Sequence, residues 1–246
     1  MSAAPCAVIY AGNVPYQAAW ALQRRVAAAR AADRLPDVLL LLEHPHTYTL
    51  GSAGRLEHLL WAPEELARRG IGLHRVDRGG DITYHGEGQL VGYPIVRLPC
   101  GPDGLHADVI AYVRMLEQVI IDFLVCYGVQ GERVSGLSGV WVQQEGALRK
   151  IAALGVRVTT KRVTQHGFAL NITTDLRYFE GIVPCGIRDK GVTRLADLVP
   201  QPPDLPTAAA QLAPIFAAHF GRQLYTERLD HLLATLGDAH EFHPAP

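Results

Sequence analysis

Short apolar segments with β-forming residues alternate with amphipathic helical segments along this chain of 246 residues. The clearest helix is predicted over residues 107–127. Its apolar stripe consists of five residues at helical spacing, namely Val109, Val113, Leu116, Ile120 and Leu124. Extended segments lie on both sides of this helix, including the apolar run VLLLL at residues 38–42. This alternation predicts a single α/β (α+β) domain.

Further elements follow from local patterns. Helices are predicted after Pro15 and over residues 62–70, 193–199 and 207–220, with a stiff linker at residues 201–206. Strands are predicted within residues 37–51, 71–80, 89–98, 139–158 and 166–173. The last two stretches pair as a meander, with a hairpin turn at the QEG of residues 144–146. Glycine and proline within residues 89–98 predict a bulge or an edge position for that strand.

The predicted elements change near Cys185, from strands to a short helix, a stiff linker and a final helix. We expect a main domain over residues 1–184 and a small C-terminal lobe over residues 185–246, packed on the main domain. The tail from about residue 237 is expected to be flexible.

Charge and hydropathy exclude several classes of protein. The 23 basic and 24 acidic residues are nearly balanced, which gives no general reason to expect a nucleic-acid partner. No apolar run approaches the ~18 residues of a membrane span, and no secretory signal is evident. We therefore expect a cytoplasmic protein that binds no membrane. We also expect a monomer, because no long apolar stripe is left uncovered by the predicted elements.

The four cysteines show neither a CxxC pair nor the density of a disulfide framework. Cys6 begins a strand, Cys100 ends one, and Cys126 in the long helix is expected in the core. Pro184 and Gly186 bracket the fourth cysteine, Cys185, on a loop, which is the setting expected of a nucleophile.

The stretch RGGDITYH, residues 78–85, has two adjacent glycines that allow positive φ and close approach to a ligand. Thr83, Tyr84 and His85 would then point to alternate sides of an extended segment. The stretch matches neither a phosphate-binding loop nor a dinucleotide fingerprint. By itself it is either a turn between strands or one wall of a ligand site.

Three other features leave alternatives open. Lys150 within a strand pattern is commonly solvated, but small residues surround it, as they would where space is needed for a ligand. His166 at a strand start is more often a surface or core-edge residue than a catalyst. His44 and His46 have the spacing of a metal site, although we do not favour one, and His240 and His243 lie in the predicted tail.

Taken together, the ordered segments EHPHTYTLG, RGGDITYHGEGQLVGYP, RKIAALGVR, HGFALN and PCGI resemble the lipoyl/octanoyl transferases, also called the lipoate-protein ligase B family. The resemblance runs from about Asn13 to Leu198. It implies a mixed central β-sheet flanked by helices, as in the catalytic domain of biotin and lipoate ligases. It also implies that residues 78–85 form a wall of an acyl-binding tunnel.

The resemblance implies a catalytic pair, with Cys185 as the acyl-thioester carrier and Lys150 as its acid–base partner. The implied substrate contacts are Arg78, Gly79, Gly80, Asp81, Ile82, Thr83, Tyr84, His85, Ala153, Leu154, Gly155, His166, Gly167 and Phe168. The role of His85 stays open between orienting the thioester and hydrogen bonding within the wall. Neither a metal nor a cofactor is implied.

The implied reaction moves an octanoyl or lipoyl group from acyl carrier protein to a specific lysine of a lipoyl domain, the first step of endogenous protein lipoylation. The donor would be octanoyl-acyl carrier protein. The acceptors would be the lipoyl domains of 2-oxoacid dehydrogenase complexes and the glycine cleavage H protein.

Three other functions stay open. One is an ATP-dependent lipoate- or biotin-protein ligase on the same fold. Another is a hydrolase that pairs Cys185 with His85 or His166. The last is a non-catalytic homologue that binds carrier protein.

Overall fold

The computed structural model describes residues 3–183 and 191–237. Its strands are β1 (Ala4–Asn13), β2 (Asp37–Glu43), β3 (Thr47–Leu50), β4 (Gly72–Arg75), β5 (Ile82–His85), β6 (Gln89–Ile95), β7 (Gly131–Glu132), β8 (Val140–Gln144), β9 (Ala147–Val158), β10 (Thr164–Asn171), β11 (Gly191–Val192) and β12 (Arg222–Thr226). Its α-helices are α1 (Tyr16–Ala31), α2 (Pro63–Arg68), α3 (Val109–Val125), α4 (Leu205–Phe220) and α5 (Leu229–Thr235).

The described strands form two sheets. The large sheet has the order β12-β1-β2-β6-β10-β9-β8-β7, with β11 beside β9, and the small sheet has the order β4-β3-β5. In the large sheet β1 is parallel to both β2 and β12, and β11 is parallel to β9, whereas the other pairs are antiparallel. The prediction of a mixed central sheet flanked by helices is confirmed.

Strands β8, β9 and β10 form the predicted meander. The hairpin between β8 and β9 pairs Gln144 with Ala147. Its two loop residues, Glu145 and Gly146, both have positive φ, of 51° and 75°. That backbone matches the twist of the flanking strands and produces a tight two-residue turn.

Helices cover both faces of the large sheet. Alternation along β2 explains why, since Leu39 and Leu41 pack in one apolar cluster with α3 and α4. Leu40 and Leu42 point the other way, into a cluster with α1 and α5. A strand buried on both faces has a continuous apolar sequence, as the VLLLL run does.

The small sheet has an apolar cluster of its own. Tyr48 and Leu50 of β3 pack there with Ile82 and Tyr84 of β5 and with Phe179. The side chains of β5 alternate, so Thr83 and His85 face away from this cluster, and the predicted alternation is confirmed.

The prediction of an edge or bulged position for β6 is wrong. This strand lies in the middle of the large sheet, with continuous register to both β2 and β10. Gly92 leaves room for an aromatic ring, because a methyl group there would lie 2.1 Å from Cζ of Phe168. Pro94 is tolerated because the pairing with β10 ends at Gly92, and its carbonyl accepts a hydrogen bond from the Thr164 hydroxyl (2.7 Å).

Helix α3 matches the predicted helix but not its whole apolar stripe. Leu116, Ile120 and Leu124 are buried, whereas Val109 in the first turn is 40 % exposed. The prediction of a core position for Cys126 is also wrong. Cys126 is the exposed residue that ends the helix, where the chain turns away from the core.

The segment after residue 200 contributes more structure than its pattern predicted. The linker is shorter than expected, since Asp204 caps α4 by accepting a hydrogen bond from the backbone N–H of Thr207 (2.9 Å). Strand β12 and helix α5 follow and were not predicted. The domain boundary between residues 184 and 185 falls outside the described residues, so the two-lobe division stays a prediction. None of the helices in residues 3–183 and 191–237 is both long and apolar enough to span a membrane.

Candidate active site

A cavity of about 410 Å³ is bounded by strands of both sheets. Eleven of the predicted site residues line it, in three groups: Arg78, Gly80, Asp81, Thr83 and His85; Ala153, Leu154 and Gly155; and His166, Gly167 and Phe168. We call residues 78–85 the small-sheet wall, and residues 153–155 together with 166–168 the large-sheet wall. Stretches separated by about seventy residues in the chain therefore meet at one cavity.

Three of the predicted substrate-contact residues do not line this cavity. Ile82 and Tyr84 point into the cluster under the small sheet. The backbone N–H of Gly79 donates to the carbonyl of Val156 (2.9 Å), which joins the two walls. Any part of these three residues in substrate binding stays a prediction.

Arg78 holds the small-sheet wall together from inside. Its side chain is buried, and Nη2 donates to the carbonyl (2.7 Å) and hydroxyl (2.8 Å) oxygens of Thr49. Nη1 donates to the carbonyl of Gly79 (3.0 Å). Because these bonds satisfy a guanidinium in a buried place, the arginine fixes the path of the glycine turn.

The glycine turn packs directly against the chain after β3. The backbone N–H groups of Ser52 and Ala53 donate to the carbonyls of Arg78 (2.8 Å) and Gly80 (3.0 Å). Gly80 has φ of 87°, so the predicted left-handed conformation occurs here. A methyl group on Gly51 would lie 2.3 Å from the carbonyl oxygen of Gly80, so this contact needs glycine.

His166 is buried, whereas its position at the start of a strand pattern favoured a surface or core-edge location. Its backbone has φ of 57°, its N–H donates to Oε1 of Gln23 (2.7 Å), and its Nε2 lies 2.8 Å from Oδ1 of Asp77. Burial lowers the pKa of His166, and the hydrogen bond and charge of Asp77 oppose that shift. Asp77, which also contacts Arg157, was missed by sequence reasoning although it directly precedes Arg78.

Lys150 on β9 is buried, with 6 % exposure, so the alternative of a solvated lysine is wrong. Its Nζ lies 4.7 Å from the centroid of the Trp141 ring, a cation–π contact. Lys150 also lines a small hollow that shares Thr83 and Ala153 with the large cavity. The lysine therefore sits directly behind the cavity lining.

The two described ends of the chain around Cys185 both contact this region, although Cys185 itself lies outside the described residues. On one side, the backbone N–H of Val183 donates to the carbonyl of His58 (2.8 Å), and His58 lines the cavity. On the other side, Val192 of β11 pairs in register with Lys150.

Other cavity residues were not predicted from the sequence. Tyr16 and Tyr93 line the cavity, and the Tyr16 ring stacks on His85 with centroids 5.7 Å apart. His58 is hydrogen-bonded to the carboxylate of Asp81, which also accepts from the backbone N–H of Arg55 (3.0 Å). Tyr16 and His58 reach the site because α1 and the 56–58 turn fold against the walls, whereas Tyr93 lies on β6, beside β10 of the large-sheet wall.

His44 and His46, which have the spacing of a metal site, are hydrogen-bonded to protein groups. Nδ1 of His44 lies 2.6 Å from the carbonyl of Val14, and Nε2 lies 2.7 Å from the Tyr93 hydroxyl. Burial lowers the pKa of His44 to about 4. His46 is hydrogen-bonded to the Tyr84 hydroxyl (2.8 Å). Across residues 3–183 and 191–237, no three His, Cys, Asp or Glu side chains cluster as metal ligands would. His240 and His243 lie outside the described residues.

Comparison with known proteins identifies the family. Residues 15–217 match the model of the lipoyl protein ligase A/B catalytic domain. The octanoyltransferase of Chloroflexus aggregans is 48% identical over 214 residues, which cover 87% of this chain and 94% of that protein. The octanoyltransferase of Solibacter usitatus is 46% identical over 217 residues, covering 88% and 92%.

The fold is also that of a solved lipoate ligase. The bipartite lipoate protein ligase of Thermoplasma acidophilum superposes with a TM-score of 0.72 at 15% identity, covering 94% of this chain and 90% of that one. This likeness shows the fold alone, and it agrees with the architecture that the sequence resemblance implied. The chain therefore belongs to the lipoyl protein ligase A/B catalytic domain family, together with these octanoyltransferases.

Proposed function

We propose that this protein is an octanoyltransferase that moves an octanoyl group from acyl carrier protein to a lysine of a lipoyl domain, through a thioester on Cys185. Octanoyl transfer in protein lipoylation follows from the high identity to octanoyltransferases over most of the chain. The carrier-protein donor, the cysteine thioester and the roles of individual residues are the finer parts of the proposal.

The position of the chain on both sides of Cys185 carries this proposal. Val183 is hydrogen-bonded to His58 of the cavity, and Val192 pairs with Lys150. The chain therefore leaves the cavity lining at Val183, two residues before Cys185, and returns to the strand of the buried lysine at Val192. A nucleophile and its acid–base partner must lie close together, and these two anchor points support that arrangement.

The acyl group suits the large cavity. Its volume of about 410 Å³ is in the range of ~300–1,000 Å³ that small-molecule sites have. Leu154 and Phe168 give the large-sheet wall apolar surface, and Gly155 and Gly167 line the cavity beside them without side chains. Binding of an uncharged octanoyl chain to such a surface is favourable, because it removes apolar surface from water.

A lysine ammonium next to Cys185 would favour the reactive thiolate and would carry the protons that the reaction moves. A thiol with a pKa near ~8.5 is only slightly ionised at neutral pH, and an adjacent positive charge favours the thiolate. The thiolate attacks the carrier thioester, so one C–S bond forms as another breaks and the carrier thiol leaves. Lys150 gives up a proton to that leaving thiolate and later takes one from the attacking amine.

The second step needs no nucleotide. The amine of the acceptor lysine attacks the enzyme thioester, the C–N bond forms, and the thiolate of Cys185 leaves. Thioester exchange changes free energy little, and conversion of a thioester to an amide is downhill. The acceptor is a lipoyl domain, and the structural study of the Thermoplasma acidophilum ligase includes its E2 lipoyl domain. By the same family relationship, the acceptors are lipoyl domains of 2-oxoacid dehydrogenase complexes and the glycine cleavage H protein.

An assay without nucleotide tests this proposal. The purified protein is mixed with octanoyl-acyl carrier protein and a lipoyl domain, and the mass of the domain is recorded with time. We expect one octanoyl group on one lysine without ATP. Transfer that requires ATP and free octanoate would instead establish a ligase, and release of octanoate without an acceptor product would establish a hydrolase.

A further inference from the structure

A series of hydrogen bonds through two buried side-chain amides, those of Gln89 and Asn171, connects His85 to the backbone at Lys150. Nδ1 of His85 lies 2.9 Å from Oε1 of Gln89, and Nε2 of Gln89 donates to Oδ1 of Asn171 (2.9 Å). Nδ2 of Asn171 donates to the carbonyl of Thr193 (2.9 Å), whose own N–H donates to the carbonyl of Lys150 (2.9 Å). Each of these five residues is at most 6 % exposed.

The carbonyl of Thr193, at the far end of this series of hydrogen bonds, fixes the direction of every bond between His85 and Asn171. A backbone carbonyl only accepts hydrogen bonds, so the atom of Asn171 that faces Thr193 is its NH₂ group. Oδ1 of Asn171 then faces Gln89 and requires the NH₂ group of Gln89, which also donates to the carbonyl of Tyr84 (3.2 Å). Oε1 of Gln89 is left to face His85, and it can only accept. Nδ1 of His85 therefore carries the hydrogen.

The other ring nitrogen of His85 is then an acceptor. Nε2 lies 3.4 Å from Oγ1 of Thr49, and that oxygen already accepts a hydrogen bond from Arg78 (2.8 Å). Because Nε2 carries no hydrogen in this tautomer, the Thr49 hydroxyl can only donate to it, at a distance that is long for such a bond. The lone pair of Nε2 stays available to a stronger donor in the cavity that His85 lines.

We propose that Gln89 and Asn171 are positioning residues that hold His85 as its Nδ1–H tautomer, so that Nε2 accepts a hydrogen bond from the amine of the acceptor lysine. This proposal rests on the octanoyl transfer proposed above. Neither the acyl chain nor the thioester has a hydrogen-bond donor, whereas the attacking amine does. A hydrogen bond to Nε2 turns the nitrogen lone pair of the amine toward the thioester carbon. The same tautomer excludes neutral His85 from donating to an oxyanion.

The surroundings of His85 keep it uncharged. Burial lowers its pKa well below the ordinary value, and the nearby His44 and the Arg78 guanidinium act in the same direction. The hydrogen bond to Gln89 opposes these effects, and His166 adds to them. Tyr16, stacked on the ring from α1, is a neutral neighbour because burial raises its pKa. His85 thus stays an acceptor through the neutral pH range.

The ring nitrogens of His85 can be observed directly in the resting protein. Long-range ¹H–¹⁵N spectra of protein with labelled histidine, assigned with His85→Asn, report which nitrogen carries the hydrogen. We expect the Nδ1–H form without titration between pH 6 and 8. An Nε2–H form, or titration in that range, would overturn the proposal. This result does not depend on the transfer reaction, so failure of the proposed function is recognised separately.

Gln89→Met keeps the volume of the side chain and removes its three hydrogen bonds, to His85, Tyr84 and Asn171. We expect the His85 signal to move toward the Nε2–H form, the discharge of octanoyl-enzyme to a lipoyl domain to slow about tenfold, and loading from octanoyl-carrier protein to change less than about threefold. Gln118→Met is the matched control, because Gln118 lies on α3 and bonds Asp122 (2.7 Å), away from the cavity. Equal slowing of loading and discharge would contradict the proposal.

Gln89→Glu tests the same inference if the methionine variant does not fold. A carboxylate opposite Nδ1 keeps the hydrogen there but favours the charged imidazolium, which has no acceptor lone pair. We expect the discharge rate to acquire a new fall on the acid side of its pH profile, above pH 6. A profile with the wild-type shape would contradict the proposal.

Discussion

The two walls of the cavity are held in place by different interactions. The large-sheet wall belongs to β9 and β10, whose backbones pair continuously from Ala152 opposite Leu170 to Val158 opposite Thr164. The small-sheet wall has only a four-residue strand, β5, and its glycine turn depends on the side chain of Arg78 and on contacts with residues 51–53. The walls meet where Gly79 bonds Val156 and where Gly155 faces Arg78.

This difference assigns separate tasks to the two walls. Sheet pairing fixes the backbone of the large-sheet wall, and Gly155 and Gly167 make room there for the neighbouring backbone of Gly79 and Gly92. The small-sheet wall instead presents polar groups, and hydrogen bonds orient Arg78, Asp81 and His85. We therefore expect changes in the large-sheet wall to alter the shape of the site, and changes in the small-sheet wall to alter its hydrogen bonding.

The largest effect is expected from Lys150→Met. If Lys150 transfers protons to and from Cys185, its loss should lower kcat/KM about 10³-fold, in the range of general acid–base catalysis. The fold should persist, because an apolar residue of similar volume replaces a buried charge. Lys161→Met, in the exposed turn between β9 and β10, is the matched control. Activity within tenfold of the parent in a folded Lys150 variant would contradict the assignment.

The next effect is a loss of stability in acid. Burial lowers the pKa of His44 from 6.5 to about 4, and the pKa values of His85 and His166, on opposite walls, are also lowered. Between pH 6.5 and 4 the unfolded chain binds protons that the native protein does not, so stability must fall as pH falls. His44 alone should account for about 3 kcal/mol.

Urea unfolding at a series of pH values measures this loss. We expect the free energy of unfolding to decline from pH 7 to pH 4, and His44→Gln to make the decline smaller. An equal slope in the variant would show that His44 is protonated in the native protein.

The smallest effects concern the paired glycines at the centre of the large-sheet wall. A methyl group on Gly167 would lie 2.2 Å from the carbonyl oxygen of Gly92, so Gly167→Ala must move backbone and should cost about 2 kcal/mol. A methyl group on Gly155, its partner in register, would lie 3.0 Å from the carbonyl oxygen of Gly79 and from Cδ of Arg78, so these neighbours would have to move by only a few tenths of an ångström. Gly155→Ala should cost less than about 1 kcal/mol. Thermal unfolding of both variants tests this order, and the reverse order would contradict it.

The sequence predicted the parts of this site that depend on local pattern. Alternation placed Thr83 and His85 on one side of β5, and the glycine pair predicted the turn conformation of Gly80. Chemistry that depends on tertiary packing was not predictable. Asp77 and Gln23 bind His166 only because α1 and the chain before β5 meet β10, and they carry no motif.

The fold shows the same limit. Gly92 and Pro94 have the residue types of an edge strand, and the reason β6 is central is visible only with Phe168 and the end of the β10 pairing in place. Cys126 is an apolar residue type within the predicted helix, but the helix ends there, at the surface. Helix ends and neighbours in space decide such cases, and a pattern within one segment contains neither.

The thioester on Cys185 is the central claim, and the intact mass of the protein tests it most directly. The protein is incubated with octanoyl-acyl carrier protein without acceptor, then measured before and after hydroxylamine, beside Cys185→Ser. Cys100→Ser and Cys126→Ser are controls, because both thiols are exposed. We predict one hydroxylamine-labile octanoyl adduct that only Cys185→Ser abolishes and that a lipoyl domain discharges. An adduct that persists in Cys185→Ser, or octanoyl transfer to the lipoyl domain by that variant at the parent rate, would contradict the account.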